Sequence, residues 1–311
     1  MAVNNSNGSK IDWDDIPNSQ RKVVANSIFI PREFTTNFLD VVNEVREGSK
    51  EGAEASCLIL VGEKGVGKSA FLRRYAQSYP EQTLIDERVA ISTRPVVYLS
   101  FPPSPTLKGS SEVFLSALAG RTSIRGSRTI LTQRIKELLI DLKVEIVIAD
   151  EFQHVREEGQ RGRSQVADWL KDILKSTNIP FVLSGMPETI DIVRSDEQLF
   201  SMSEKPTIIT SYNWDLTESR NAWRALLAKI DIELPFNNLS DLASLETSRS
   251  LYLCSEGNLR RLRSILRVAV SRAIGIRGKL LTCDDLATGY HRLPKAIGLR
   301  GNPLDINGIL S

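Results

Sequence analysis

Eight consecutive residues, Gly62-Glu63-Lys64-Gly65-Val66-Gly67-Lys68-Ser69, have the types and spacing of a phosphate-binding loop, G-x-x-x-x-G-K-[ST]. Each part has a physical task. The glycines allow a backbone that approaches a phosphate chain closely and turns its N–H groups toward it. Lys68 supplies a cation for the β- and γ-phosphates, and the Ser69 hydroxyl is the expected ligand of a Mg²⁺ ion. Glu63, Lys64, Val66 and Ala70 complete the stretch expected to line the nucleotide.

A second constellation lies downstream, where Ile146-Val147-Ile148-Ala149 ends in Asp150-Glu151. An apolar strand ending in two carboxylates suits the crevice at the carboxyl ends of a parallel sheet. There Asp150 can hold Mg²⁺ through a water, and Glu151 can polarise an attacking water as a general base. A loop for phosphates and a carboxylate pair for metal and water together point to hydrolysis of a nucleoside triphosphate with Mg²⁺.

These residues need particular elements to position them. Cys57–Val61 is an apolar run of strand length, and Ala70–Ala76 has apolar residues at helical spacing, so the loop joins a strand to a helix. Further strands are predicted at 95–101, 144–149, 180–184 and 207–210, and helices at 34–45, 112–119, 131–142 and 166–176. Near-continuous apolar strands alternating with helices indicate a parallel sheet covered on both faces. Beyond residue 211 the strand signal stops. Helices are predicted at 217–230, 239–254, 258–274 and 282–290, with Thr217 and Thr282 as N-caps.

The expected organisation is a flexible, Asn- and Ser-rich arm over 1–24, a P-loop core over 25–210, a helical lid over 211–293 and a Gly/Pro/Asn-rich tail over 294–311. The 311 residues, 41% hydrophobic and 25% charged, are those of an ordinary globular chain. No apolar run approaches the ~20 residues that span a bilayer. The amino terminus has no signal-peptide core. The three cysteines, Cys57, Cys254 and Cys283, form neither a metal spacing nor a disulfide framework, which fits a reducing cytoplasm. The net charge of +2 neither demands nor excludes nucleic acid. His154 and His291 make no metal pair and are expected to be structural and surface residues.

Together the phosphate loop, the Asp-Glu strand end and the helical C-terminal region resemble the AAA+ ATPases: a three-layer αβα P-loop core with a parallel sheet, followed by a small all-α lid. The resemblance implies a role for Arg260 in Glu256-Gly257-Asn258-Leu259-Arg260, as the second sensor arginine reaching the γ-phosphate. Ile30 and Arg32 are counted with the nucleotide-binding residues. More specific stretches resemble the TniB and TnsC family: Asp150-Glu151-Phe152-Gln153-His154, residues 170–180, Ser184-Gly185-Met186-Pro187-Glu188, Asp196-Glu197-Gln198-Leu199 and Leu234-Pro235-Phe236. That resemblance implies an ATP-dependent regulator of DNA transposition. Such a protein assembles on double-stranded DNA as rings or filaments and connects a target-selection protein to a DDE transposase; hydrolysis then drives disassembly.

Two departures matter. Met202 stands near the place where the family often has an arginine finger, leaving Arg194, Lys205 and Arg220 as candidates. Met186 stands where the first sensor is usually Thr or Asn, leaving Ser184 as a stand-in. Both point to slow or partner-stimulated hydrolysis. For DNA, the basic, hydroxyl-rich loop region offers Lys108, Arg121, Arg125, Arg128 and Thr129, suited to phosphate contacts with little sequence preference. The alternatives are a helicase loader or replication initiator of the same class, and a nucleotide-switched signalling ATPase.

Overall fold

The computed structural model describes residues 11–86, 89–103, 106–119, 126–293 and Leu304. The chain divides into two units, one of residues 33–210 and one formed by residues up to 32 together with those from 211 onward. Helix α1 (Asn18–Ser27) belongs to the second, discontinuous unit.

The continuous unit begins with α2 (Glu33–Lys50) and β1 (Cys57–Gly62), followed by α3 (Lys68–Gln77). A two-stranded antiparallel hairpin, β2 (Gln82–Asp86) with β3 (Val89–Thr93), precedes β4 (Val96–Ser100). Helices α4 (Leu107–Ala119) and α5 (Arg128–Asp141) lead to β5 (Ile146–Asp150). A 3₁₀ turn at Phe152–Glu158 runs into α6 (Gly159–Thr177), and β6 (Phe181–Gly185), α7 (Glu188–Arg194), α8 (Glu197–Ser201) and β7 (Thr207–Ile209) complete the unit.

Five strands form one parallel sheet in the order β4-β5-β6-β1-β7. Every residue of β1, β5 and β6 is buried, which explains why these segments are apolar throughout rather than alternating. On one face Ile59, Val61, Val97, Leu99, Val147, Ala149 and Leu183 pack with Phe114, Leu115, Ile135, Trp169 and Ile173 from α4, α5 and α6. α3 packs on the sheet from β1 and β4 to β6, with Phe71 edge-on to Phe38 of α2, ring centroids 6.1 Å apart. The register sets Asp150 opposite Ser100, and Val61 opposite Gly185, so the loop after β1 and the carboxylates after β5 leave the sheet at the same edge.

The hairpin, α7 and α8 were not anticipated from the sequence. The hairpin strands are short and peripheral, and the two helices span seven and five residues, too few for a periodic signal.

The second unit contains α1 and four later helices, α9 (Thr217–Glu233), α10 (Leu245–Ser255), α11 (Leu259–Gly275) and α12 (Cys283–His291). Its core gathers Trp223, Leu227, Leu251, Leu262, Ile265, Ala269, Val270 and Leu286. Thr282 caps α12 in a reciprocal capping box with Asp285, as its position suggested. Thr217, in contrast, is the first helical residue and Leu216 occupies the cap position, without a side-chain bond. The helix expected from 239 starts only at Leu245, because Asp231 first accepts the N–H groups of Ser240 and Leu242 and holds that segment as a turn.

The expected flexible arm is corrected where it is described. Trp13 N–H donates to Asn237 Oδ1 (2.8 Å), Asn237 Nδ2 donates to Asp12 Oδ1 (2.7 Å), and Arg21 is buried. Arg21 donates from Nε (3.1 Å) and Nη2 (2.8 Å) to the Pro235 carbonyl, with its guanidinium over the Phe236 ring. The Leu-Pro-Phe motif is thus the receptor for the amino-terminal helix. The domain boundary lies at 32/33 rather than 24/25. Residues 1–10 lie outside the described residues. So does the tail apart from Leu304, whose side chain is buried against the helical core. Removing the guanidinium in Arg21→Ala leaves the Pro235 carbonyl unpaired and should destabilise this unit by about 2 kcal/mol. A denaturant titration followed by tryptophan fluorescence would read this, and an unchanged midpoint would contradict the assignment.

Candidate nucleotide site

The loop after β1 turns through two left-handed glycines, Gly65 (φ 92°) and Gly67 (φ 103°), and Gly67 is the N-cap of α3. α3 begins at Lys68 with Gly67 rather than a side chain at its cap, and a helix amino terminus favours a bound anion. Gly62 is required by close approach: a Cβ there would sit 2.2 Å from the Ile209 carbonyl oxygen of β7. Lys68 is buried, and its Nζ donates back to the carbonyls of Gly62 and Glu63, the latter at 3.0 Å. A helix amino terminus beside a buried ammonium fits a triphosphate. Ser69 is half-buried in the first turn, while Glu63, Lys64 and Ala70 are exposed.

Asp150 is almost wholly buried. Its Oδ2 accepts from Tyr98 Oη (2.6 Å), and its Oδ1 accepts from Ser184 Oγ (2.9 Å) and from the Glu151 N–H (3.0 Å). Burial and the adjacent Asp150 carboxylate push the Tyr98 hydroxyl above its ordinary range, so it remains a donor. Arg73 of α3 donates from Nε to Tyr98 Oη (3.1 Å). The chain Arg73–Tyr98–Asp150 therefore fixes the carboxylate expected to hold a water on Mg²⁺. Neither Tyr98 nor Arg73 was anticipated: they lie far from Asp150 in sequence, and a lone tyrosine within a strand carries no motif.

Glu151 follows in the left-handed region (φ 57°) and accepts a hydrogen bond from Gln153 Nε2. Ser184 was the expected substitute for the first sensor, but its hydroxyl is spent on Asp150, and Met186 presents its backbone N–H to Gln153 Oε1 (3.0 Å). His154 Nδ1 bonds the Phe101 carbonyl (2.9 Å), the structural role expected of it. Among the described residues no cluster of His, Cys, Asp or Glu could hold a metal by itself.

Several predicted residues lie in the helical unit. Arg260 is exposed in the first turn of α11, whose cap Asn258 accepts from the Arg260 N–H (3.1 Å). Gly257 before it is left-handed (φ 67°), and a Cβ there would meet the Tyr212 carbonyl oxygen at 2.2 Å. Ile30 packs against the helical core, and the Arg32 guanidinium lies 4.4 Å from the Tyr212 ring centroid. Arg220 bonds Trp214 O and Thr217 Oγ1, both at 3.4 Å. Of the other finger candidates, both in the continuous unit, Arg194 lies over the Phe200 ring and Lys205 is exposed.

Of the DNA candidates, Lys108 on α4 is exposed, 4.0 Å from Glu112, and Arg128 and Thr129 are exposed in the first turn of α5. Arg121 and Arg125 lie outside the described residues. Among the described residues no helix is long and apolar enough to cross a membrane.

A parallel β4-β5-β6-β1-β7 sheet carrying this loop and this carboxylate pair, with a helical C-terminal region, has the fold of the AAA+ ATPases. Solved structures agree on that fold. The ORC2 protein of Aeropyrum pernix in ADPNP–ADP complexes has a TM-score of 0.60 at 16% identity, covering 88% of this chain and 72% of that one. Cdc6p of Pyrobaculum aerophilum gives 0.59 at 14% identity, covering 86% and 70%. Drosophila ORC bound to DNA gives 0.51 at 13% identity, covering 93% and 69%. Within that class, a family model described as the bacterial TniB protein matches residues 22–208, and the chain belongs to this family. The match contains every residue of the phosphate loop and the Asp-Glu pair but not Arg260. No curated protein matches the chain.

Proposed function

We propose that this protein is an ATP-dependent regulator of DNA transposition. ATP and Mg²⁺ bind at Gly62–Ala70 with Asp150, and Glu151 acts as the general base for slow or partner-stimulated hydrolysis. The observation that carries the reading is membership of the TniB family through a match that contains both chemical motifs.

In this reading Lys68 and the first turn of α3 hold the phosphates, Ser69 is a direct Mg²⁺ ligand, and Asp150 acts through a water. When bound, the metal would neutralise charge developing on the γ-phosphate. The chain's own contribution is to hold its carboxylates still. Asp150 is fixed by three donors, and Glu151, held by Gln153, is the carboxylate that receives a proton from the attacking water. Arg260 is assigned as the arginine that senses the γ-phosphate, and Ile30 and Arg32 are counted with the nucleotide-binding residues. Arg194, Lys205 and Arg220 are the candidates to act on a neighbouring subunit's nucleotide.

The ATP state assembles on duplex DNA as a ring or filament, engages a target-selection protein and a DDE transposase, and comes apart on hydrolysis. A protein of the same fold, Drosophila ORC, has been solved bound to DNA, which supports duplex DNA as a ligand. Lys108, Arg128 and Thr129, with Arg121 and Arg125, supply phosphate contacts. DNA affinity in ATP should therefore fall steeply and log-linearly with salt, by about one unit of slope per phosphate contact. The variant Arg128→Ala should shallow that slope by about one without changing sequence preference.

The test is electron microscopy of the full chain with duplex DNA and ATP, ADP or a slowly hydrolysed analogue. Assemblies on DNA in ATP that are lost in ADP support the reading. Neither DNA binding nor oligomers with ATP and Mg²⁺ would refute it.

A further inference from the structure

Gln153 occupies a position that neither the phosphate loop nor the carboxylate pair explains. It lies in the 3₁₀ turn directly after β5, so its side chain folds back toward residue 151. Its Nε2 donates to Glu151 Oε2, and its Oε1 accepts the Met186 N–H at 3.0 Å. The amide orientation follows from chemistry: a backbone N–H requires an acceptor and an ionised carboxylate requires a donor, so only one orientation of the carboxamide satisfies both. Space for this clamp is made by Gly185 at the end of β6, where a Cβ would come within 2.4 Å of Gln153 Oε1. The carboxamide therefore ties the proposed base on β5 to the backbone that follows β6.

We propose that Gln153 is the positioning residue for Glu151, coupling it to the end of β6 through the Met186 N–H. The inference rests on Glu151 being the base. It also gives physical content to Met186: with no polar side chain at 186, the end of β6 reaches the reacting centre through the backbone and Gln153. A carboxylate that swings by about an ångström from its productive position loses rate on the order of tenfold to a hundredfold, so removing the clamp should lower turnover and leave nucleotide affinity alone.

The experiment compares Gln153→Glu, Gln153→Ala and Glu151→Gln in the full chain. It measures single-turnover phosphate release from ATP with Mg²⁺ and duplex DNA, nucleotide affinity, and hydrogen exchange of the Met186 amide without nucleotide. Gln153→Glu keeps an acceptor for Met186 and removes the donor to Glu151. It should lower the rate constant about tenfold or more, with affinity and Met186 protection close to those of the parent protein. Gln153→Ala should show the same rate loss together with faster Met186 exchange. A role confined to pinning the β6 backbone would leave Gln153→Glu at full rate, and that result overturns the proposal. So does unchanged Met186 exchange in Gln153→Ala, or a loss of affinity that accounts for the whole effect. Glu151→Gln separates the two ideas: an inactive Glu151→Gln with a fully active Gln153→Glu refutes the clamp alone, whereas an active Glu151→Gln removes the base assignment and the clamp with it.

Discussion

The variant Lys68→Ala is expected to lose ATP binding, by about two orders of magnitude or more in affinity. Lys68 is buried at the start of α3, and its ammonium is held by two carbonyls of the loop it closes. Charge-assisted hydrogen bonds contribute roughly 1.5–3 kcal/mol each. Losing two phosphate contacts therefore weakens binding by about a hundredfold at the least, since 1.4 kcal/mol is a factor of ten. Alanine also leaves two loop carbonyls without their donor, which loosens the backbone that would cradle the phosphates. Titration with a fluorescent ATP analogue reads the loss directly, and unchanged circular dichroism separates it from unfolding. An affinity equal to that of the parent chain would show that Gly62–Ser69 is not the phosphate site.

For Glu151→Gln the expectation is opposite in character: nucleotide stays bound and the state it supports persists. The amide is nearly isosteric, so packing at the end of β5 is kept, but it cannot take the proton of an attacking water. General-base catalysis contributes about 10²–10⁴ in rate, and hydrolysis should fall by a factor in that range. If hydrolysis drives disassembly, the lifetime of the ATP-loaded complex on DNA should lengthen correspondingly. A competitor-DNA chase after loading with ATP reads the lifetime, and phosphate release reads the turnover. Rapid turnover in this variant would contradict the assignment of the base.

The sequence displays the site unevenly. The phosphate loop and the Asp-Glu pair are contiguous, and their flanking apolar runs state the strand and helix that hold them. The central strands are legible because burial on both faces leaves an uninterrupted apolar record, and the long helices because one buried face leaves apolar residues at helical spacing. The support around the carboxylates leaves none. Tyr98 and Ser184 reach Asp150 from other elements through single hydrogen bonds and Arg73 reaches Tyr98 through another, and such long-range contacts have no local pattern. Gln153 is visible as a letter next to the Asp-Glu pair, but its task depends on the level of Met186 across the sheet. The amino-terminal segment misled for a related reason. A polar composition with few apolar residues reads as an arm, yet a buried arginine, an Asp–Asn pair and the packing of Ala25 and Ile28 anchor it to a unit whose other residues begin beyond 210.

That anchoring makes the helical unit a host interrupted by the sheet unit, and the interruption has a consequence during synthesis. Arg21 and the Pro235 carbonyl are 214 positions apart, so at about 5–20 residues per second the first helix leaves the ribosome roughly 10–40 s before its partner exists. The inserted core, continuous in sequence, can fold within that interval. The helical unit cannot close until translation has passed the core, and an amino-terminal truncation would injure the last body to form rather than the first.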